Sequence, residues 1–123
     1  MEEQSKLPNG VLGILREEKS KWERRVAITP TEVKYLTENR VKVIIQPMTN
    51  RCYTQKEFEE VGAIFQEDMN EADLIVGVKE VPVENLIPEK TYLFFSHTIK
   101  AQEYNMPLLD KLLQLKIRMV DYE

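Results

Sequence analysis

The chain has 123 residues, 42% hydrophobic and 31% charged, the balance of one soluble globular domain that can close a single core. Its 17 Lys and Arg against 21 Asp and Glu leave a formal net charge of -4 with both signs scattered along the chain, which argues against nucleic acid as a partner; no apolar stretch approaches the roughly 20 residues that span a bilayer, which argues against a membrane. One cysteine, Cys52, and one histidine exclude an intramolecular disulfide and a Cys/His zinc set, so a reducing compartment without a structural metal is expected.

Residues 1–10 are polar, contain Pro8 and read as a flexible leader. The acidic opening Met1-Glu2-Glu3 resembles neither a signal peptide nor an Arg-rich transit peptide. Val11 to Leu15 is a short apolar run suited to a buried strand, and the charged stretch Arg16 to Arg25 reads as a loop. Thr29-Pro30-Thr31-Glu32 predicts a helix start with Val33, Leu36 and Thr37 at helical spacing and Asn39 as its stop. Val41 to Ile45 is a β-branched strand ending before Pro47. Thr54 opens a second helix through Phe58 and Val61, Gly62 closes it, and Ala63 to Phe65 is a short strand. Ala72 to Val78, reading ADLIVGV, is the kind of continuous apolar run buried on both faces of a parallel sheet. Pro82 to Pro88 is a connection, Thr91 to Phe95 a strand, and Ala101 to Leu115 a long helix with Leu108, Leu109, Leu112 and Leu113 inward. Ile117 to Val120 is the last strand.

Strand and helix alternate, so the expected fold is α/β: an open, mainly parallel, Rossmann-like sheet with helices on both faces. The glycines Gly10, Gly13, Gly62 and Gly77 form no G-x-G-x-x-G and no P-loop, so no dinucleotide fingerprint is present. The end at Tyr122-Glu123, directly after a predicted strand, reads as a fragment of something longer, with 11–123 as its N-terminal, substrate-side domain.

Ligands of an open parallel sheet sit beyond the carboxyl ends of its strands. Three polar clusters are expected there: Arg16, Glu17, Arg24 and Arg25; Lys79-Glu80; and Ser96, His97, Thr98 and Lys100. His97 follows two phenylalanines and suits a general acid/base, or a strand-end histidine bonded to backbone. Lys79 suits proton transfer or the holding of a carboxylate, or merely snorkels to water. Arg24 and Arg25 offer planar forks for carboxylates, against the plain reading of a solvated loop. Cys52 lies near Arg51 without a catalytic partner and reads as an inert thiol.

LREEKSKWERRVAITPTEV, LIVGVKE, FFSHTIKAQEYNMPLLD and IRMVDYE together resemble the N-terminal part of the lysine-ketoglutarate reductase region of animal alpha-aminoadipic semialdehyde synthases. The R-V-A-I-T-P, V-K-E and S-H segments resemble, more distantly, alanine dehydrogenases and fungal-type saccharopine dehydrogenases. The resemblance implies reductive condensation of L-lysine with 2-oxoglutarate by NADPH to give saccharopine, a downstream dinucleotide-binding domain as partner, and a mitochondrial location. It implies catalytic roles for Lys79 and His97 and substrate-binding roles for Arg25 and Lys100. Left open are the division of acid and base between Lys79 and His97, NADPH against NADH, and the oligomeric state, a homo-oligomer included. The alternatives are a saccharopine or alanine dehydrogenase and, in another class, a non-catalytic α/β module that binds an anion or a partner.

Overall fold

The computed structural model describes residues 9–96, 98 and 103–122. Six strands form one sheet: β1 (Gly10–Ile14), β2 (Val41–Ile45), β3 (Ile64–Phe65), β4 (Leu74–Val76), β5 (Thr91–Phe94) and β6 (Arg118–Asp121). Their order is β3-β2-β1-β4-β5-β6 and every neighbouring pair is parallel. This is the expected open α/β fold. Connections from β1 run outward through β2 to β3, whereas β4, β5 and β6 are added on the opposite side of β1. The strand order therefore reverses between β1 and β4, where the register is Leu12–Leu74, Gly13–Ile75 and Ile14–Val76.

The central strands are buried on both faces. Alternation sends Leu12, Ile14, Val43 and Ile45 to one core with Val33 and Phe58, and sends Ile44, Ile75, Tyr92 and Phe94 to the other with Leu108 and Leu112. Helices α1 (Pro30–Glu38) and α2 (Gln55–Glu60) supply Val33 and Phe58 to the first face, and α3 (Met106–Gln114) covers the second. Full burial of a side chain such as Ile14 or Phe58 contributes roughly 1.5–3 kcal/mol.

Both early helices begin at reciprocal caps. In α1 the Glu32 N–H donates to Thr29 Oγ1 at 3.4 Å and the Thr29 N–H to Glu32 Oε1 at 2.8 Å; in α2 Thr54 and Glu57 repeat the pattern at 3.1 and 3.0 Å. Helix α2 hands over to β3 through Gly62 at φ +97, a conformation that glycine adopts without Cβ strain. Gly13 answers a different need: a Cβ there would lie 2.7 Å from Met69 Sδ and 3.0 Å from Ala72 Cβ, so the turn leading into β4 packs directly on the backbone of β1.

Strands β1, β3, β5 and β6 differ from the sequence reading by one residue at one or both ends, β1 starting at Gly10 inside the segment read as leader, and three segments differ by more. The ADLIVGV run is a strand only over Leu74–Val76, although the Gly77 N–H still donates to Leu93 O and the Phe95 N–H to Val78 O, each at 3.0 Å. The helix expected over Ala101–Leu115 is α3, Met106–Gln114, preceded by a 3-10 turn at Glu103–Asn105. Pro107 accounts for this start, because proline fits the first helical turn and clashes with one before it. Of its four leucines, Leu108 and Leu112 are buried, Leu109 is half-buried and Leu113 is 70% exposed; one leucine pair at i and i+4 fills the inward stripe, and the other is rotated off it. The connection over Pro82–Pro88 holds a 3-10 turn at Val83–Asn85.

Candidate active site

Because all strands run the same way, the exits of β1, β4 and β5 share one rim. A cleft of about 330 Å³ opens there, with Glu17, Gly77, Lys79, Glu80 and Tyr92 among its lining. The charged stretch after β1 has no regular secondary structure, and it returns buried carboxylates to this rim.

Glu23 is the centre of the arrangement. Only 8% exposed, it accepts the Arg25 side chain twice, from Nε at 2.8 Å and Nη2 at 2.7 Å, and the Arg25 main-chain N–H at 3.1 Å. Lys79 Nζ lies 3.8 Å from the same carboxylate. The Arg25 fork holds the Glu23 carboxyl down to about 2, against desolvation by burial. One carboxylate therefore orders two cations, and the Arg25 guanidinium, 65% exposed, has its Nε/Nη2 edge engaged by protein.

A second carboxylate, Glu17, accepts the main-chain N–H groups of Val78 at 2.9 Å and Lys79 at 3.0 Å. Burial pushes its pKa up, and those two hydrogen bonds oppose the shift. A third, Glu80, is buried beside Lys79 and accepts Asn105 Nδ2 at 3.1 Å; Lys19 Nζ lies 3.3 Å from it. Burial works to raise its pKa, but its own main-chain N–H, Asn105 and Lys19 together leave it lowered. Asn105 Nδ2 also donates to Ser96 O at 2.9 Å, and the fully buried Ser96 hydroxyl bonds Asp121 and Thr98. The exit of β5 is thereby tied to β4, β6 and the start of α3.

Of the residues singled out in the sequence, Lys79 and Arg25 are brought together across Glu23. His97 and Lys100 lie outside the described residues; the neighbours of His97, Ser96 and Thr98, sit at the β5 exit beside that of β4. Arg16 lines the cleft at some remove from Glu23, where it donates to Pro47 O at 3.0 Å and pairs with Glu67, and Arg24 is fastened outside the cleft, donating to Asn50 O at 3.2 Å. Cys52 is a free, exposed thiol. Glu17 and Glu80 stand at the rim where their clusters are expected, though the sequence assigns them no role; Glu23 and Asn105 are not singled out by the sequence. Only the spacing E-R-R offered a hint of Glu23, since acidic residues in a charged run read as solvated.

Residues 13–123 match the profile of the alanine dehydrogenase/PNT N-terminal domain. The chain belongs to that family. Among curated relatives it is 52% identical over 113 residues to the mitochondrial alpha-aminoadipic semialdehyde synthase of Bos taurus, a match covering 92% of this chain and 12% of that protein. The Arabidopsis thaliana alpha-aminoadipic semialdehyde synthase is 42% identical over 128 residues, 99% of this chain and 12% of its own length. A saccharopine dehydrogenase [NAD(+), L-lysine-forming] of Emericella nidulans is 33% identical over 94 residues, 72% of this chain and 25% of its own. The chain thus spans about an eighth of the length of the first two relatives. Among solved structures an L-alanine dehydrogenase superposes with a TM-score of 0.77 at 21% identity over 92% of this chain and 32% of that one, a likeness of fold. The alanine dehydrogenase/PNT N-terminal domain here thus carries its charged residues at the rim where the strand order reverses.

Proposed function

We propose that this chain is the substrate-side domain of an oxidoreductase that condenses L-lysine with 2-oxoglutarate and reduces the product with NADPH to saccharopine. The observation that carries the reading is the bracket of Arg25 and Lys79 about the buried Glu23 at the β1/β4 switch point. Its supports are family membership and the synthase relatives.

The chemistry asks for one proton shuttle and several cations. The lysine ε-amine loses a proton and attacks the ketone carbon; the carbinolamine then loses water as the C=N bond forms, and its hydroxyl leaves more readily with a proton donated to it. Lys79 and His97 are the groups proposed to move those protons. Arg25, ordered by Glu23, and Lys100 neutralise substrate carboxylates and hold the two substrates in register.

The described residues do not fit a dinucleotide cradle. No glycine occurs between Leu15 and Thr29, and at the start of α1 the Glu32 N–H is already taken by the Thr29 side chain. NADPH is accordingly assigned to a downstream domain, and mitochondrial residence is proposed from the mammalian relatives, whose names carry that location.

The test is a steady-state assay of the complete protein carrying this domain, with lysine, 2-oxoglutarate and each nicotinamide cofactor in turn. Saccharopine formation dependent on both substrates is expected. Turnover only of saccharopine with NAD+ reassigns the chain to the saccharopine dehydrogenases, and saturable binding of an anion without turnover favours the non-catalytic module.

A further inference from the structure

Lys79 is held at both ends, its ammonium near Glu23 and its main chain by Glu17. Glu17 lies 62 residues away in sequence, and its two oxygens each take one of the consecutive N–H groups of Val78 and Lys79. These donors fall just past the end of β4, where a parallel ladder would otherwise leave them for water. The carboxylate packs against the backbone of Gly77, where an added Cβ would stand at van der Waals contact, 3.4 Å from Glu17 Oε2. Such a clamp needs the ionised form, because a neutral amide offers one acceptor and sets its own donor against the second N–H.

Arg51 is the buried cation of this corner. It is 7% exposed, within electrostatic reach of Glu17, and among the described residues its side chain makes one long hydrogen bond, from Nη2 to Leu15 O at 3.5 Å. Its Nε is buried with no hydrogen-bond partner among the described residues. A buried guanidinium so weakly bonded is costly unless a neighbouring carboxylate balances it. The other titratable groups in electrostatic reach of Glu17 are Glu23, Arg25 and the neutral Tyr122.

We propose that Glu17 is a positioning residue for Lys79, clamping the main chain at the β4 exit so that the ammonium stays aligned on Glu23, and that Arg51 keeps this clamp charged. The inference rests on the reading of Lys79 as a reacting group. It adds a carboxylate that acts through the main chain of another residue and so sets where the proton carrier stands.

Two measurements on the complete protein decide it, with Glu17→Gln, Arg51→Met and Arg51→Lys. Hydrogen exchange of a peptide spanning residues 74–82 is expected to run roughly 5–10-fold faster in Glu17→Gln and Arg51→Met, the scale of one lost hydrogen bond, and close to wild type in Arg51→Lys. Steady-state kinetics with lysine and 2-oxoglutarate is expected to show kcat lowered roughly 10–10²-fold in the first two variants with KM little changed, as for a misplaced reacting group, and largely restored in Arg51→Lys. Should Glu17→Gln prove too unstable to assay, the two Arg51 variants read the same clamp from its other end. Unchanged exchange overturns the clamp. Faster exchange with wild-type kcat and KM reduces Glu17 to a strand cap and overturns its positioning role. A wild-type protein inactive on both substrates defeats the functional reading instead, while the exchange comparison still decides whether the clamp exists.

Discussion

Glu23 and Glu17 are both buried acids at one rim, yet their protons behave in opposite ways. Glu23, held down to about 2 by Arg25, binds its proton more weakly folded than unfolded, where the ordinary value is 4.5. Its contribution to stability is therefore complete above about 4.5 and lost as pH falls through about 2. Glu17, raised by burial, carries the reverse sign: the fold favours its protonated form, so the cost of burying its charge is relieved as pH falls through its folded pKa. Glu23→Gln is thus expected to lower Tm at neutral pH and to flatten the fall of Tm between about pH 4.5 and 2; Tm curves of wild type and variant that run parallel across that window would remove Glu23 from the account. For the two cations the readout is kinetic. Lys79→Met in the complete protein is expected to lower kcat by roughly 10²–10⁴-fold, the scale of general acid–base catalysis, with Tm nearly unchanged because a 3.8 Å ion pair to a partly exposed lysine holds little. Arg25→Lys keeps the charge but loses the fork, and substrate use is expected to weaken by about 1.5–3 kcal/mol, roughly 10–10²-fold in kcat/KM. Wild-type constants for both substrates would place Arg25 outside the site. The sequence suggests roles for the cations and none for the acids, although it places Glu17 and Glu80 at the rim and passes over Glu23, for a physical reason. A cation after a strand invites a functional reading, whereas a carboxylate among charges reads as solvated until tertiary contacts desolvate it.

At the level of elements, local chemistry was the more readable part. T-P-T-E and T-Q-K-E placed both capped helices, since the cap is written within four residues. Thr29→Ala is expected to cost about 1 kcal/mol, within a range of roughly 0.5–2, and a denaturant midpoint unchanged with an unchanged m-value would show that the cap contributes nothing. Gly62→Ala is expected to cost about as much, because the backbone stands at φ +97 and the new methyl would meet Thr37 at 3.3 Å. The long apolar segments were less readable. In ADLIVGV the apolar run outlasts the strand because Gly77 and Val78 are held by β5 and by Glu17 rather than by a regular ladder. In the last helix, leucine content overstated the buried face, and Pro107 outweighed the pattern before it.

For the whole molecule, parallel order puts the rim at the carboxyl edge without any further instruction, so the place of the cleft follows from topology before its lining is known. The isolated chain is expected to fold as this sheet, yet to show no reductase turnover, since its first helix offers no place for a pyrophosphate; hydride transfer by these 123 residues alone would contradict that. The reversal of strand order has one more consequence, which concerns time rather than place. Residues up to Phe65 form β1, β2, β3 and two helices, those from Leu74 onward form the rest, and the sheet joins the two groups only through the three residue pairs of β1 with β4. Either half can gather by short-range closures, but the seam demands contacts some sixty residues apart, and their loop entropy has to be met before any of them stabilises the chain. Glu17, reaching across that seam to Val78 and Lys79, belongs to the late step. Lys79 and Arg25 would then be among the final parts of the domain to meet during folding and among the earliest to separate when it opens, so a polypeptide still being made holds this lysine and this arginine on two unjoined halves.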